Sequence, residues 1–239
     1  MGNWYENPNW WVALGTILLA IVAMFQDRIR SWFWNPKLKC KINLEPPDCH
    51  RTRTVTNRQM SVPDTSTFFS YYYRFEIWND GKVSARNVEV ILLEILQKEG
   101  NNFKRIHAFT PDNLLWSIIR KDFPPNQFKT HCDYISPKTF KHCNLGHIHD
   151  PKFRANLEGE NNPELLIKEG DTIFCFDVNF RSTALYYLVP PGEYKITLKI
   201  GGENAKTITR KYLLRISGKW FEDEDKMLND GFFIKSIKN

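Results

Sequence analysis

From Trp10 to Phe25 the chain carries no charged side chain: Trp10-Trp11-Val12-Ala13-Leu14-Gly15-Thr16-Ile17-Leu18-Leu19-Ala20-Ile21-Val22-Ala23-Met24-Phe25. As a helix these residues rise about 24 Å, slightly short of a hydrocarbon core of about 30 Å. The flanks make up the difference. Trp4, Tyr5, Trp10 and Trp11 stand at the front of the run, and Trp32, Phe33 and Trp34 follow it, as in the aromatic belts of membrane interfaces. Arg28 and Arg30 can extend toward lipid headgroups while Ile29 stays apolar. A signal peptide would need a basic leading region and a small-residue cleavage site. Residues 1–9 hold no Lys or Arg, and no Ala-x-Ala ends the run. A short buried core helix is the other alternative. The run predicts one membrane-spanning helix with its collar over 10–34, a short extracytoplasmic segment over 1–9, and a domain over 35–239.

The basic excess is local. The chain has 239 residues and a net charge of +6, of which residues 28–58 alone contribute +6, with eight basic side chains against Glu45 and Asp48. Nothing basic precedes the span, whereas Arg28, Arg30, Lys37, Lys39 and Lys41 follow it. The positive-inside rule then places the N-terminus outside and the domain in the cytoplasm, the topology of a single-pass membrane protein. Two further observations point the same way: no Asn-x-Ser/Thr sequon, and five cysteines, odd in number and irregular in spacing. The basic stretch also has the composition of an anionic-lipid patch, but setting topology is the plainer role for it. The rest of the chain is nearly neutral and has no basic stripe, so nucleic acid is not expected as a partner.

With 25% charged and 14% aromatic residues, the domain can bury a core and is not disordered. Past Pro36 the chain reads mostly as strands of period two: 38–44, 68–78, 87–96 with a short return to 106, 172–180, 193–200 and 207–216. Residues 45–66 read as a polar connection, and Asn79-Asp80-Gly81 as a turn. Helical signals are confined to 114–120 and 223–228. This spacing predicts a mainly β fold, an antiparallel sandwich.

The hairpin Ile77-Trp78-Asn79-Asp80-Gly81, followed by Ala85-Arg86-Asn87-Val88-Glu89-Val90, resembles that of bacterial immunoglobulin-like domains of the cell-adhesion-related type. Val189-Pro190-Pro191-Gly192-Glu193-Tyr194 resembles their Pro-Gly-x-Tyr strand entry, with Tyr194 in the place of a tyrosine corner. The resemblance covers about 68–107 and 170–216 and implies an immunoglobulin-like sandwich with no catalytic residues. The chain departs from that family through a long insert at about 108–168. In layout it also resembles uncharacterised bacterial proteins with one N-terminal span and a sandwich behind it.

The insert holds the conspicuous chemistry: His131-Cys132-Asp133, then His142-Cys143-Asn144-Leu145-Gly146-His147-Ile148-His149-Asp150. Imidazole, thiolate and carboxylate are transition-metal donors, and His147 and His149 would project on one side of a strand. If a metal binds here, Cys132, His142, Cys143, His147 and His149 are the candidate ligands. The spacing fits no standard zinc pattern. The plainer reading puts Cys143, Leu145 and Ile148 in the core and the histidines at its rim. Cys143 with His147 is a conceivable nucleophile and base, without supporting context. No Gly-x-Ser-x-Gly, His-Glu-x-x-His or phosphate loop is present. The acidic and apolar tail 219–228 is expected to dock back on the sandwich.

These features predict a membrane-anchored, non-catalytic binding or scaffold module, with no cofactor, presenting its sandwich to a protein partner. The membrane residues are Trp10, Trp11, Phe25, Arg28, Arg30, Trp32 and Trp34. The alternatives are a metal-dependent enzyme built on the insert, or a membrane effector that self-associates through Ala13, Gly15, Ala20 and Ala23.

Overall fold

The uncharged run lies inside helix α1 (Pro8–Phe33) of the computed structural model, which describes residues 8–33, 35–56, 66–106, 109–117, 129–156, 167–181 and 183–237. Residues Asn9–Gln26 are long and apolar enough to cross a membrane, and none of that segment is buried, so a buried core helix is not what the run forms. Trp10, Trp11 and Phe25 are all exposed. The one hydroxyl of the run is satisfied locally, Thr16 Oγ1 donating to the Val12 carbonyl at 2.9 Å, as an apolar surrounding requires. Arg28, Arg30 and Trp32 fall in the last turns of α1 with their side chains outside the described ones, and Trp34 lies outside the described residues.

Thirteen strands are present among the described residues. In chain order they are β1 (Leu38–Lys41), β2 (Cys49–Thr56), β3 (Ser66–Asn79), β4 (Ala85–Glu99), β5 (Asn102–Arg105) and β6 (Asp112–Asn113). Then come β7 (His131–Ile135), β8 (Thr139–His149), β9 (Phe174–Phe176), β10 (Leu188–Val189), β11 (Gly192–Gly202), β12 (Ala205–Ile216) and β13 (Phe232–Ile237). They form two antiparallel sheets. The first runs β1-β3-β8-β9-β10, with β2 also on β3; the second runs β13-β12-β11-β4-β5, with β6 and β7 also on β4.

Alternation decides which faces meet. Tyr71, Tyr73, Phe75 and Ile77 of β3 are fully buried, as are Tyr194, Ile196, Leu198 and Ile200 of β11. Aromatic rings tie the sheets together: Phe174 stacks on Phe232 at 4.9 Å, and Phe75 meets Tyr212 at 4.9 Å. In β4 the alternation breaks twice. Opposite β11 the register passes from Leu92 to Glu94, so Leu93 is bulged out, whereas the pairing with β7 keeps one register from Ala85 to Glu89 and the break there falls at Asn87. Asn87 takes φ 45°, which its short polar side chain tolerates. The buried set thereby becomes Ala85, Val88, Val90, Leu92 and Ile95.

Three segments differ from the sequence expectation. The stretch 108–168 is not an addition to the sandwich: it supplies β6, β7 and β8, and β8 lies between β3 and β9. Part of the nominal connection 45–66 is strand β2, which pairs residue for residue from Cys49↔Tyr73 to Thr56↔Ser66. Its arginines and threonines hide a strand that β3 recruits by backbone pairing. Leu114 and Trp116, read as helical, make single antiparallel bridges to Val178 and Cys143; 118–120 lie outside the described residues. In the tail, Asp223 caps a short helix α2 (Glu224–Lys226) by accepting from Lys226 N at 2.9 Å, and a π turn at Met227–Gly231 leads into β13.

The exit from α1 is pinned to the β3–β4 turn. Lys37 N donates to Asn79 Oδ1 at 3.1 Å and Asp80 N to the Lys37 carbonyl at 2.8 Å. A Cβ on Gly81 would collide with the Asn35 carbonyl and lie 2.6 Å from Pro36 Cα, so this crossing requires glycine. Asp80 is flanked by Lys39 at 2.6 Å and Lys138 at 2.9 Å, and its carboxyl is held down to about 2 by hydrogen bonds from those two ammonium groups.

Candidate functional site

The five residues read as possible metal ligands are not brought together. Cys132 on β7 is buried, its thiol directed to the Tyr134 carbonyl at 3.2 Å. Cys143 is fully buried in the core opposite Phe75. Burial raises both thiols, that of Cys143 well above its ordinary value, which keeps them protonated and poor as ligands or nucleophiles. His142, His147 and His149 lie on the other face of the first sheet. On a regular strand Cys143 and His147, four residues apart, would share a face. Register passes from Asn144 (opposite Arg74) to Gly146 (opposite Tyr73), so Leu145 is bulged and the strand reverses its faces. Cys143, Leu145 and Ile148 are all fully buried, in line with the plainer reading of the sequence.

The outer face of the first sheet carries two polar clusters. In the first, His147 Nδ1 is 2.8 Å from Asp177 Oδ1, both groups nearly inaccessible. Burial works against charge on His147, but Cys175, directly opposite in register, and Asp177 outweigh it and hold the imidazole well above its ordinary value. Tyr72 lies over the ring at 5.3 Å. His149 is the neighbouring ring at 4.3 Å, with Nδ1 2.6 Å from Ser70 Oγ and Phe68 edge-on at 5.0 Å. Burial first, then the charges of His147 and Arg181, push His149 down to about 2. The two adjacent histidines are therefore driven apart, His147 toward the charged form and His149 toward the neutral one. Gly146 permits this packing: a Cβ there would meet the Cys175 carbonyl and lie 2.7 Å from the Phe174 ring. The approach of Cys175 and Asp177 to His147 is long-range in sequence and carries no motif, so it is not readable from the chain alone.

In the second cluster Asp48, Glu76 and His142 converge, their donor atoms all within 4.8 Å of one another. Asp48 leads into β2, Glu76 is on β3 and His142 is its register partner on β8. His142 Nε2 is 2.8 Å from Asp48 Oδ1. Arg74 stands between the clusters, close to both Asp177 and Asp48, with its guanidinium pKa lowered by burial.

A cleft of about 1000 Å³ opens at the end of the sandwich away from the α1 exit, where Asp150 N donates to the Phe69 carbonyl at 3.1 Å. Asp150, Glu169, Asp171, Lys219, Trp220 and Phe221 are among its lining residues. The tail docks here as expected. Tyr71 OH donates to the Phe221 carbonyl at 3.0 Å, Trp220 packs on Tyr71 at 5.1 Å, and Arg51 ion-pairs with Glu222. A second cleft of about 540 Å³ lies against the second sheet, between Glu89, His131, Lys199 and Glu203. No family model, curated protein or solved structure matches this chain.

Proposed function

We propose that this chain is a membrane-anchored, non-catalytic binding module: α1 tethers an immunoglobulin-like sandwich at the cytoplasmic face of the inner membrane, and the distal cleft receives a basic segment of a protein partner. One observation carries the reading. An apolar helix with no buried residue over Asn9–Gln26 leads toward residues pinned at the β3–β4 turn, while the larger of the two clefts lies at the opposite end of β3. Its lining has Asp150, Glu169, Asp171 and Glu222 against Lys152 and Lys219, beside Trp220 and Phe221, a composition suited to basic and aromatic side chains. Tethering raises local concentration, so a modest affinity suffices. The immunoglobulin-like assignment is supported by Tyr194, whose hydroxyl donates to the Pro190 carbonyl at 2.8 Å in the manner of a tyrosine corner.

Two experiments test this. Protease added to spheroplasts is expected to spare the sandwich and to cleave it in inverted vesicles; the reverse pattern overturns the orientation. A photo-crosslinker at Lys219 in living cells is expected to give one discrete protein adduct that charge reversal at Glu169 and Asp171 abolishes. Equal adducts from a crosslinker at Lys199, on the other sheet, would overturn the assignment of the cleft.

A further inference from the structure

The cluster of Asp48, Glu76 and His142 goes beyond the binding reading and does not depend on it. Both carboxylates are at least nine-tenths buried, at 1% and 9% exposure, and their oxygens approach within 4.8 Å. Like charges so placed in a poorly solvated site repel unless a cation or proton lies between them. The outer oxygens are already occupied. Asp48 Oδ2 accepts from Asn43 N at 3.2 Å and Asn43 Nδ2 at 2.9 Å, and Glu76 Oε2 accepts from Trp78 Nε1 at 2.6 Å. Glu76 thereby keeps Oε1 for a further partner, and Asp48 turns Oδ1 toward His142 Nε2 at 2.8 Å, the arrangement by which outer-shell donors orient metal-binding carboxylates. Phe140 meets the His142 ring edge-on at 5.2 Å and steadies it.

We infer that Asp48, Glu76 and His142 form a binding site for one divalent first-row transition ion such as zinc. One imidazole nitrogen and two carboxylate oxygens are a mixed set that suits such ions. Metal–ligand bonds of about 2.1 Å in tetrahedral geometry put ligand atoms about 3.4 Å apart, within reach of the present spacing through side-chain adjustment alone. The ion displaces the His142–Asp48 hydrogen bond and leaves a fourth position on the side of His142, whose side chain is 22% exposed. Three cationic or basic groups border the site. Lys41, opposite Glu76 in register, lies with its ammonium 5.3 Å from the Trp78 ring centroid. Arg74 is near enough to Asp48 to feel its charge. His50 is two residues beyond Asp48, with Nδ1 buried and without a partner among the described residues; it is the one additional nitrogen to test as a ligand.

The test uses the full chain in detergent, stripped with EDTA, dialysed metal-free and titrated with Zn²⁺. One equivalent per chain by elemental analysis is expected. Trp78→Phe and Asn43→Ala, which leave every ligand in place, are expected to weaken binding about 10–100-fold. Asp48→Asn with Glu76→Gln removes it, and His149→Gln leaves it unchanged. Cobalt substitution guards against misfolded variants: the wild-type chain is expected to give visible d–d bands without a thiolate charge-transfer band. Sulfur ligation, no retained metal, or binding insensitive to the Asp48 and Glu76 changes overturns the site.

Discussion

His149 gives the sharpest quantitative test of the polar face. Its ring is wedged between Phe68 and His147 and meets the Ser70 hydroxyl at 2.6 Å, and its folded pKa lies at about 2. An unfolded histidine protonates near 6.5. As pH falls below that value the unfolded chain gains a proton that the folded chain refuses, so stability present above pH 6.5 is lost progressively on acidification. At pH 4.5, two units below the unfolded pKa and well above the folded one, the loss relative to pH 8 is about 2.7 kcal/mol. That is a large fraction of a typical domain's stability. Urea unfolding of the full chain in one detergent, followed by tryptophan fluorescence at pH 8 and pH 4.5, measures it. His149→Gln keeps a polar atom for Ser70 and removes the titration, so the pH 8 to 4.5 difference should shrink by about 2.7 kcal/mol. An undiminished difference in the variant would refute the reasoning, because the acid loss would then come from other groups, His50 among them. His147 works with the opposite sign. Its raised pKa adds stability that is complete below pH 6.5 and lost as pH rises through the folded value, and Asp177→Asn should abolish that alkaline limb.

Other substitutions probe packing. Gly146→Ala forces β8 and β9 apart against the Cys175 carbonyl and should cost about 2–3 kcal/mol in urea unfolding, with the His147 titration shifted toward 6.5 by NMR. Tyr194→Phe leaves the Pro190 carbonyl without its donor and should cost about 1 kcal/mol, read from the same midpoint at constant m-value. Phe232→Ala removes the stack on Phe174 and the 4.0 Å contact with Tyr73 between the sheets, and should cost about 3–5 kcal/mol, seen as a large drop in melting temperature.

The elements that local chemistry determines were legible in the sequence. The uncharged run, the Asn79-Asp80-Gly81 turn, the alternation of Tyr71, Tyr73 and Phe75, and the tail that docks through Trp220 all follow from composition and period over short windows. Bulges were not legible. A single extra residue at Leu145 reverses the faces of β8, separating Cys143 from His147 and turning His147 and His149 onto the outer face that His142 already occupies, and no propensity marks that position. The same limit hid the metal-capable cluster. Asp48 lies 94 residues from His142 in the chain, and only the pairing of β3 with both β2 and β8 brings them together. β2 itself was missed because its Arg and Thr side chains look like a linker until a partner strand supplies the ladder.

β3 then serves as the ruler of the molecule. Its Asn79 end is fastened to the exit of α1, and its Phe69 end borders the distal cleft. Ten residues of strand separate them by about 33 Å. Electrostatic fields at a membrane surface decay over a Debye length of about 8 Å at physiological salt. With α1 in a bilayer, Lys37, Lys39, Lys82 and Lys138 around the pinned turn lie where anionic headgroups can act on them. The carboxylates of the cleft lie beyond that reach when β3 stands away from the bilayer. In that orientation the two ends are electrically independent. Neutralising the lysines should change how the domain sits on anionic vesicles without changing the affinity proposed for the cleft toward a basic segment. Charge reversal at Glu169 and Asp171 should do the converse. A single substitution that moved both measurements together would show that the ends communicate through the sheet, against the rigid pairing along β3.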